Sequence, residues 1–333
     1  MSKRFLILLI LSVVFVISVV VSLSLGSSTI SLIDIINVFS SENEIHKKII
    51  FEIRLPRVLN AIIVGASLSC SGIVLQSLLR NNLAEPGLLG ISAGAGLGAI
   101  LIFILPLSFS YALLTPIAFV FALMTTLLIF YIAKGLDSKY NNFISSNKII
   151  LAGIAINALI SSVNGFLLLI SGSSVMQIIY WLNGGLSGRG WSEFNMTYVF
   201  VIVGLLIAIF LSKDLNVLNL GEELAISLGL KIKTLQRISI AVSALLAAAA
   251  VSIAGIISFV GLVVPNISKL MIGTDYRYSI PCTILLGAIF LIVSDTIART
   301  IISPAEIPVG IITSFIGAPV FIWLILKKKE FYS

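Results

Sequence analysis

The sequence predicts an all-α membrane protein that crosses the bilayer about ten times. The 333-residue chain has a mean hydropathy of +1.16, and only 11% of its residues are charged, whereas about a quarter of the residues in soluble domains are charged. Apolar stretches of about 20 residues, long enough to cross a hydrocarbon core about 30 Å thick, recur along the whole chain. We therefore interpret residues 1–333 as a single transmembrane domain without a soluble domain.

Ten stretches have the length and composition of a membrane span. In chain order they are residues 5–25, 57–79, 87–106, 112–133, 146–170, 195–212, 235–254, 256–272, 279–298 and 308–326. The first follows Lys3 and Arg4 as in a signal peptide, but its apolar run exceeds the usual length of about 7–15 residues, so we expect an uncleaved span. The seventh and eighth are separated only by a glycine bend near Gly255, and the count of ten depends on that bend.

The basic residues predict how the chain is oriented. With a cytoplasmic N-terminus, 15 of the 21 Lys and Arg residues fall on the cytoplasmic side, as the positive-inside rule requires. The other six fall outside: Lys47, Lys48, Arg54, Arg57, Arg189 and Arg299. An even number of spans returns the C-terminus to the cytoplasm, and the longest cytoplasmic interruption is 213–234. The net charge of +7 is thus a topology signal and does not indicate nucleic-acid binding.

Two glycine–proline segments resemble each other in the two halves of the chain. Gly72 to Pro86 and Gly255 to Pro265 each combine a glycine within a helix with a polar break that includes a proline. Inverted repeats with broken helices are a recurrent plan in transporters. We therefore predict that spans 2–5 repeat as spans 7–10 with inverted topology.

The sequence indicates no catalytic residue, cofactor or metal site. It has no G-x-x-x-x-G-K-[ST] motif, so energy from ATP would require another chain to bind the nucleotide. The sequence has one histidine, His46, in a predicted outer loop, and a single histidine argues against zinc, haem ligation or a histidine relay. Cys70 and Cys282 fall inside predicted spans as small buried residues.

Arginines stand at the outer ends of two predicted spans. Arg54 and Arg57 flank a proline at a helix start, where cations oppose the helix macrodipole. They could receive an acidic group of an external partner or extend to lipid phosphates. Asp295 and Arg299 are four residues apart, a spacing that favours a salt bridge on one helix face. Arg299, nearer the surface, could join the arginine patch.

The fifth span has a stripe of small and polar residues on an apolar helix. A stripe of this kind packs against a neighbouring helix or faces water in a transport path, and periodicity alone does not separate these alternatives. The residues are Gly153, Asn157, Ser161, Asn164 and Gly165.

The segment Leu220–Leu230 is predicted to form a short amphipathic helix on the inner side. Glu222 and Glu223 stand at its start and Gly229 near its end, as helix capping favours. Its apolar residues need a cover, either the membrane surface or a groove on a cytoplasmic partner.

Taken in order, these segments resemble the FecCD family of ABC-importer permeases. The motifs are RLPR, GASLSCSGIVLQSLLRNNLAEPGLLG, LGEELAISLGL, GIISFVGLVVPNISKLMIGTDYR, SDTIAR and IPVGIITSFIGAPVFIWLI. The resemblance covers residues 50–328 and implies ten helices per subunit, a dimer of permeases, two ATPase subunits inside and one substrate-binding protein outside. It places the protein in the bacterial cell membrane and implies import of a ferric siderophore, with haem and cobalamin as alternatives.

The resemblance also implies roles for individual residues. Arg54, Arg57 and Arg299 match the arginines that receive acidic residues of the binding protein. The spans numbered five and ten line the transport path, and Asn81, Asn82 and Pro86 belong to the cytoplasmic gate region. Asn82 and Asn266 depart from the family pattern, which commonly has proline and often histidine at these positions. The coupling helix that contacts the ATPase is matched by Gly221, Glu222, Glu223, Ala225, Leu228 and Gly229.

Two functions from other classes remain open at this point. A secondary transporter driven by protons or sodium would need carboxylates at mid-membrane depth, and only Asp295 approaches that depth. A membrane scaffold or sensor without transport is the other alternative.

Overall fold

The computed structural model describes residues 3–26, 44–105, 110–135 and 145–330, and within these ranges every regular element is helical. Most of the predicted outer loop before Arg54 lies outside the described residues. Ten helices coincide with the ten predicted spans. They are α1 (Lys3–Ser24), α2 (Leu55–Leu78), α3 (Ile91–Ile104), α4 (Ser110–Gly135), α5 (Ser146–Ile170), α6 (Trp191–Phe210), α7 (Ile232–Ala254), α8 (Val260–Ile272), α9 (Tyr276–Thr300) and α10 (Val309–Glu330).

Eight of these helices are long and apolar enough to cross a membrane, whereas α3 and α8 are shorter, at 14 and 13 residues. The all-helical membrane fold predicted from the sequence is therefore confirmed. Short helical segments lie between the long helices. They include Glu44–Lys48 and a π-helix, Ile49–Arg54, which run continuously into α2, as well as Val175–Leu182, Ser212–Leu218 and Glu222–Ser227.

Helix α2 is the centre of the bundle because its small residues allow neighbouring backbones to approach closely. A Cβ atom at Gly65 would lie 2.2 Å from the carbonyl oxygen of Gly287 on α9, and one at Gly72 would lie 1.9 Å from that of Gly261 on α8. The Ser71 hydroxyl donates a 2.8 Å hydrogen bond to the Ser243 carbonyl of α7. Helix α2 therefore packs directly against three helices of the second half.

The bend near Gly255 does divide two helices. Helix α7 ends at Ala254, and Gly255 and Phe259 both have positive φ, at 70° and 69°, before α8 begins at Val260. The second glycine–proline segment differs from its expected form, because Gly255 follows a helix instead of lying within one. Pro265 lies inside α8 and not in the break. Because glycine has no side chain, Gly255 adopts its positive φ readily.

The breaks of the two halves meet in space. The first break, 79–90, separates α2 from α3, and the second, 255–259, separates α7 from α8. A Cβ at Gly261 would lie 2.8 Å from Cδ of Pro86, so the start of α8 and the turn before α3 are in contact. Each break follows the first helix of a predicted four-span unit, which supports the inverted repeat; the repeat itself stays a prediction.

Candidate functional site

We call the end of the bundle that carries Arg54, Arg57 and Arg299 the outer face, and the end that carries residues 213–234 the inner face. The two ends of α2 connect them, since Arg54 precedes this helix and Arg80 follows it. All three arginines of the outer face are buried, at 4%, 9% and 4% relative exposure. Their partners within the chain determine what this face can do chemically.

Arg57 lies between two carboxylates. Its Nε and Nη2 atoms donate to both oxygens of Asp295 over 2.9–3.2 Å. Its Nη1 atom donates to both oxygens of Glu306, over 2.9 and 3.1 Å. The bidentate contact with Asp295 gives geometric specificity, and it compensates for the burial of Asp295, whose side chain is only 1% exposed.

Arg54 and Arg299 bind the C-terminal turn of α1. Arg54 Nη1 donates to the carbonyl oxygens of Leu23 and Ser24, over 2.7 and 2.8 Å. Arg299 Nη2 donates to the carbonyl oxygen of Ser22 and, over 2.7 Å, to its hydroxyl. The last carbonyls of a helix lack partners within the helix and carry partial negative charge. Because α1 has no basic residue in its own last turn, these two arginines cap it from elsewhere.

The predicted ion pair between Asp295 and Arg299 is present, with Arg299 Nε 3.7 Å from Asp295 Oδ2. Asp295 therefore contacts two arginines and joins them into one group. We define the outer ion cluster as Arg54, Arg57, Arg299, Asp295 and Glu306. Sequence reasoning missed Glu306, which lies in the loop between α9 and α10. Burial raises the pKa of Glu306, but hydrogen bonding and the charge of Arg57 lower it more, so the net pKa shift is downward.

On the inner face, the predicted amphipathic helix forms over Glu222–Ser227. Gly221 and Gly229 flank it with φ of 119° and 83°, conformations that favour glycine. Ala225 is buried, whereas the side chains of Leu224 and Leu228 are 57% and 65% exposed. The helix thus has an apolar surface that this chain leaves uncovered among its described residues.

Arg80 connects this helix to the turn that the sequence assigns to the gate region. Arg80 has a φ of 47°, its Nη2 atom donates a 2.8 Å hydrogen bond to the Leu218 carbonyl, and its Nη1 atom lies 3.8 Å from Glu222 Oε1. The preceding short helix, Ser212–Leu218, is also held at the start of α9, where Asn216 Nδ2 donates to Asp275 over 2.8 Å. Arg80 therefore joins the short helix and the residues before it to the turn between α2 and α3.

The residues predicted for the gate region lie in that turn. Asn81 Oδ1 accepts a 2.9 Å hydrogen bond from the Leu83 amide, and Pro86 is buried at the start of the 3₁₀ turn before α3. Asn82 Oδ1 accepts from Lys269 over 3.1 Å. Asn266 Nδ2 donates to the Asn82 carbonyl over 3.1 Å. Asn82 and Asn266, which both depart from the family pattern, therefore contact each other although they are far apart in the sequence.

Three residues of the α5 stripe pack against neighbouring structure. Asn157 Nδ2 donates to the Gly87 carbonyl over 3.0 Å, and Asn164 Nδ2 donates to the Ala93 carbonyl over 3.1 Å. A Cβ at Gly153 would lie 2.0 Å from the Leu88 carbonyl oxygen, so glycine is needed there. Ser161 is exposed. These contacts favour the packing interpretation of the stripe, and a role in the transport path stays a prediction.

Cys70 and Cys282 are buried, as expected for small residues of the interior. Within the described residues, no group of three or more His, Cys, Asp and Glu side chains is arranged to hold a metal ion.

The all-helical architecture agrees with what comparison with known proteins shows. The model of the FecCD transport family matches residues 14–327. The chain belongs to the FecCD transport family. It is therefore the permease subunit of an ABC importer of the iron-siderophore, haem and vitamin B12 type, and not an enzyme. An importer of this kind works with ATPase subunits and a binding protein, which excludes the ion-coupled transporter and the scaffold as alternatives.

Individual relatives have similar sequences over most of their length. The chain is 39% identical over 292 residues to the hemin transport system permease protein HmuU of Yersinia pestis, covering 87% of each chain. It is 36% identical over 325 residues to the vitamin B12 import system permease protein BtuC of Vibrio parahaemolyticus, covering 97% of this chain and 94% of that one. A solved structure of an inward-facing ABC transporter that has been assigned to the metal-chelate type has a TM-score of 0.85 and 33% identity, covering 96% of this chain and 99% of that chain.

Proposed function

We propose that this FecCD permease imports an iron chelate, with a ferric siderophore as the leading substrate. Membership of the family carries the proposal, and the 33% identity to a transporter assigned to the metal-chelate type supports the substrate class. The similarity to HmuU and BtuC makes haem and cobalamin the competing substrates. Specificity would reside largely in the separate binding protein, which delivers the loaded substrate.

The inner face would engage an ATPase subunit through the coupling helix. The residues that we assign to this contact are Gly221, Glu222, Glu223, Ala225, Leu228 and Gly229. Exposed Leu224 and Leu228 supply the apolar surface that such a contact would bury. Arg80 would transmit a change in coupling-helix position to the gate turn, through its contacts with Leu218 and Glu222. Two states that differ in stability are sufficient for alternating access.

The outer face would receive the binding protein at Arg54, Arg57 and Arg299. Burial of these side chains argues against a patch of freely exposed arginines. Arg57 is the best placed of the three, because its Nη1 edge contacts Glu306, whose side chain is 29% exposed. Arg54 and Arg299 would contribute positive potential from just beneath the surface. With this face outside, both termini would lie in the cytoplasm of a bacterial cell.

A second permease subunit, identical or related, would complete the transport path. Only 6% of an 18-residue apolar stretch of α5 is buried within this chain. The corresponding share is 83% for α2 and the helical segment that runs into it. A helix this exposed has room for a partner as well as for lipid. Helices α5 and α10 would line the path between the two subunits.

Competitive uptake tests the substrate. A strain lacking this chain should lose accumulation of radiolabelled ferric siderophore and regain it with the restored gene, and excess unlabelled haem or cobalamin should not compete. Loss of haem or cobalamin uptake instead would replace the substrate within the same mechanism. Unchanged uptake of all three compounds would contradict the proposal.

A further inference from the structure

The guanidinium of Arg57 has two edges in different environments. Its Nε–Nη2 edge is fixed to Asp295, which is 1% exposed and also lies beside Arg299. Its Nη1 atom contacts Glu306, which is 29% exposed. The first contact is enclosed by the bundle, and the second lies at the protein surface. A carboxylate arriving from outside could therefore replace Glu306 but not Asp295.

We propose that Glu306 occupies, within this chain, the contact that an acidic side chain of the binding protein takes on docking. This inference rests on the proposed function and identifies Arg57 Nη1 as the docking contact. Docking would then be an exchange of one carboxylate for another, in which the arginine keeps a partner throughout.

The loop around Glu306 allows this exchange without movement of the backbone. The following residue, Ile307, is held by a 3.0 Å hydrogen bond from its amide to the Ala298 carbonyl, and the Ala305 amide donates to the Ile302 carbonyl over 3.0 Å. Rotation of the Glu306 side chain would then release Arg57.

Charge explains why the incoming group would be acidic. The outer ion cluster contains three arginines and two carboxylates, so its formal charge is +1, and withdrawal of Glu306 raises it to +2. A tethered carboxylate competes at high effective concentration with any carboxylate in solution. Glu306 therefore weakens docking and discourages partners that present only one weak acidic contact.

Glu306→Gln tests this exchange, with Glu52→Gln as the matched control. Both substitutions remove one negative charge from the outer face, but Glu52 is 61% exposed and its nearest cation is Lys48, 4.0 Å away. The measurement is the Kd of the purified importer complex for the binding protein that supports its uptake. Thermal unfolding of each variant verifies that it is folded. We expect Glu306→Gln to tighten the Kd about three- to tenfold and Glu52→Gln to change it by less than about twofold.

Equal effects of the two substitutions would overturn the inference, because they would reflect net charge alone. Weaker binding by Glu306→Gln would also overturn it, since Glu306 would then support the docking surface. If the wild-type importer transported substrate without binding the substrate-binding protein, that result would contradict the proposed function as well. Loss of binding on Arg57→Glu, with no gain on Glu306→Gln, would leave the proposed function intact and remove only the exchange.

Discussion

The outer ion cluster and the short helix Glu222–Ser227 of the inner face differ in which of their groups lack a partner among the described residues of this chain. On the outer face, every arginine of the cluster has oxygen partners from the same chain, and only the Arg57–Glu306 contact approaches the surface. On the inner face, Leu224 and Leu228 are exposed on a short helix. We therefore propose that the outer contact is an exchange between charged partners, whereas the inner contact would bury apolar surface that is already exposed in this chain.

The largest effect should come from breaking the buried side of the outer cluster. Arg57→Ala would leave Asp295, 1% exposed, with only the 3.7 Å contact to Arg299 Nε. Removal of one partner from a buried ion pair destabilises proteins by about 3–5 kcal/mol. Thermal unfolding in detergent should show that loss of stability. The double variant with Arg57→Ala and Asp295→Asn should recover part of it. An unchanged unfolding temperature for Arg57→Ala would mean that the pair does not stabilise this face.

Acidic substitution should disrupt the inner contact almost as strongly. Leu224→Asp with Leu228→Asp should weaken association with the ATPase subunit by about 2 kcal/mol or more, as loss of central apolar contacts does. Copurification of the two subunits measures this. Leu270→Asp is the matched control, since Leu270 is 59% exposed but lies on α8. Equal losses from the double variant and from Leu270→Asp would show that Leu224 and Leu228 have no special role in this contact.

Salt should affect the partner contacts of the two faces differently. Ions screen exposed charges over about 8–10 Å at physiological ionic strength, so docking of the binding protein should weaken as salt rises from low to high concentration. Apolar burial has no such dependence, and association of the ATPase subunit should change little. Titrations of both partners against the same purified permease give the comparison directly, and equal salt dependence would contradict it.

The smallest effect should be a dependence of stability on acid pH. Because the pKa of Glu306 is lowered in the folded protein from its ordinary value of 4.5, its stabilising contribution is complete above that value and is lost as the pH falls below it. The expected loss is about 1 kcal/mol or less. Between pH 6 and 3, the unfolding temperature of Glu306→Gln should fall less steeply with decreasing pH than that of the wild type. Identical profiles would contradict this pKa shift.

Much of the fold could be predicted because hydrocarbon imposes strong limits on composition. The ten long helices, the two breaks between them and the short helix Glu222–Ser227 follow from apolar length, glycine and proline positions, and capping residues. The partners of the arginines could not be predicted in this way. Arg57 is 238 residues from Asp295 and 249 from Glu306, and hydropathy carries no record of such contacts.

Local signals nevertheless existed for part of the site. Asp295 lies within an apolar span and requires a countercharge, and α1 ends without a basic residue in its last turn. The α5 stripe shows the opposite case. Its periodicity was compatible with packing or with a water-filled path, and only the hydrogen bonds from Asn157 and Asn164 show what these side chains contact.

Reconstituted transport tests the central claim most directly. The permease, its ATPase subunits and the binding protein would be placed in proteoliposomes, and uptake of a labelled ferric siderophore would be followed with and without ATP. We predict accumulation that requires ATP and the binding protein and that continues when a protonophore removes the proton gradient. Accumulation driven by a proton or sodium gradient in the absence of ATP would contradict the account.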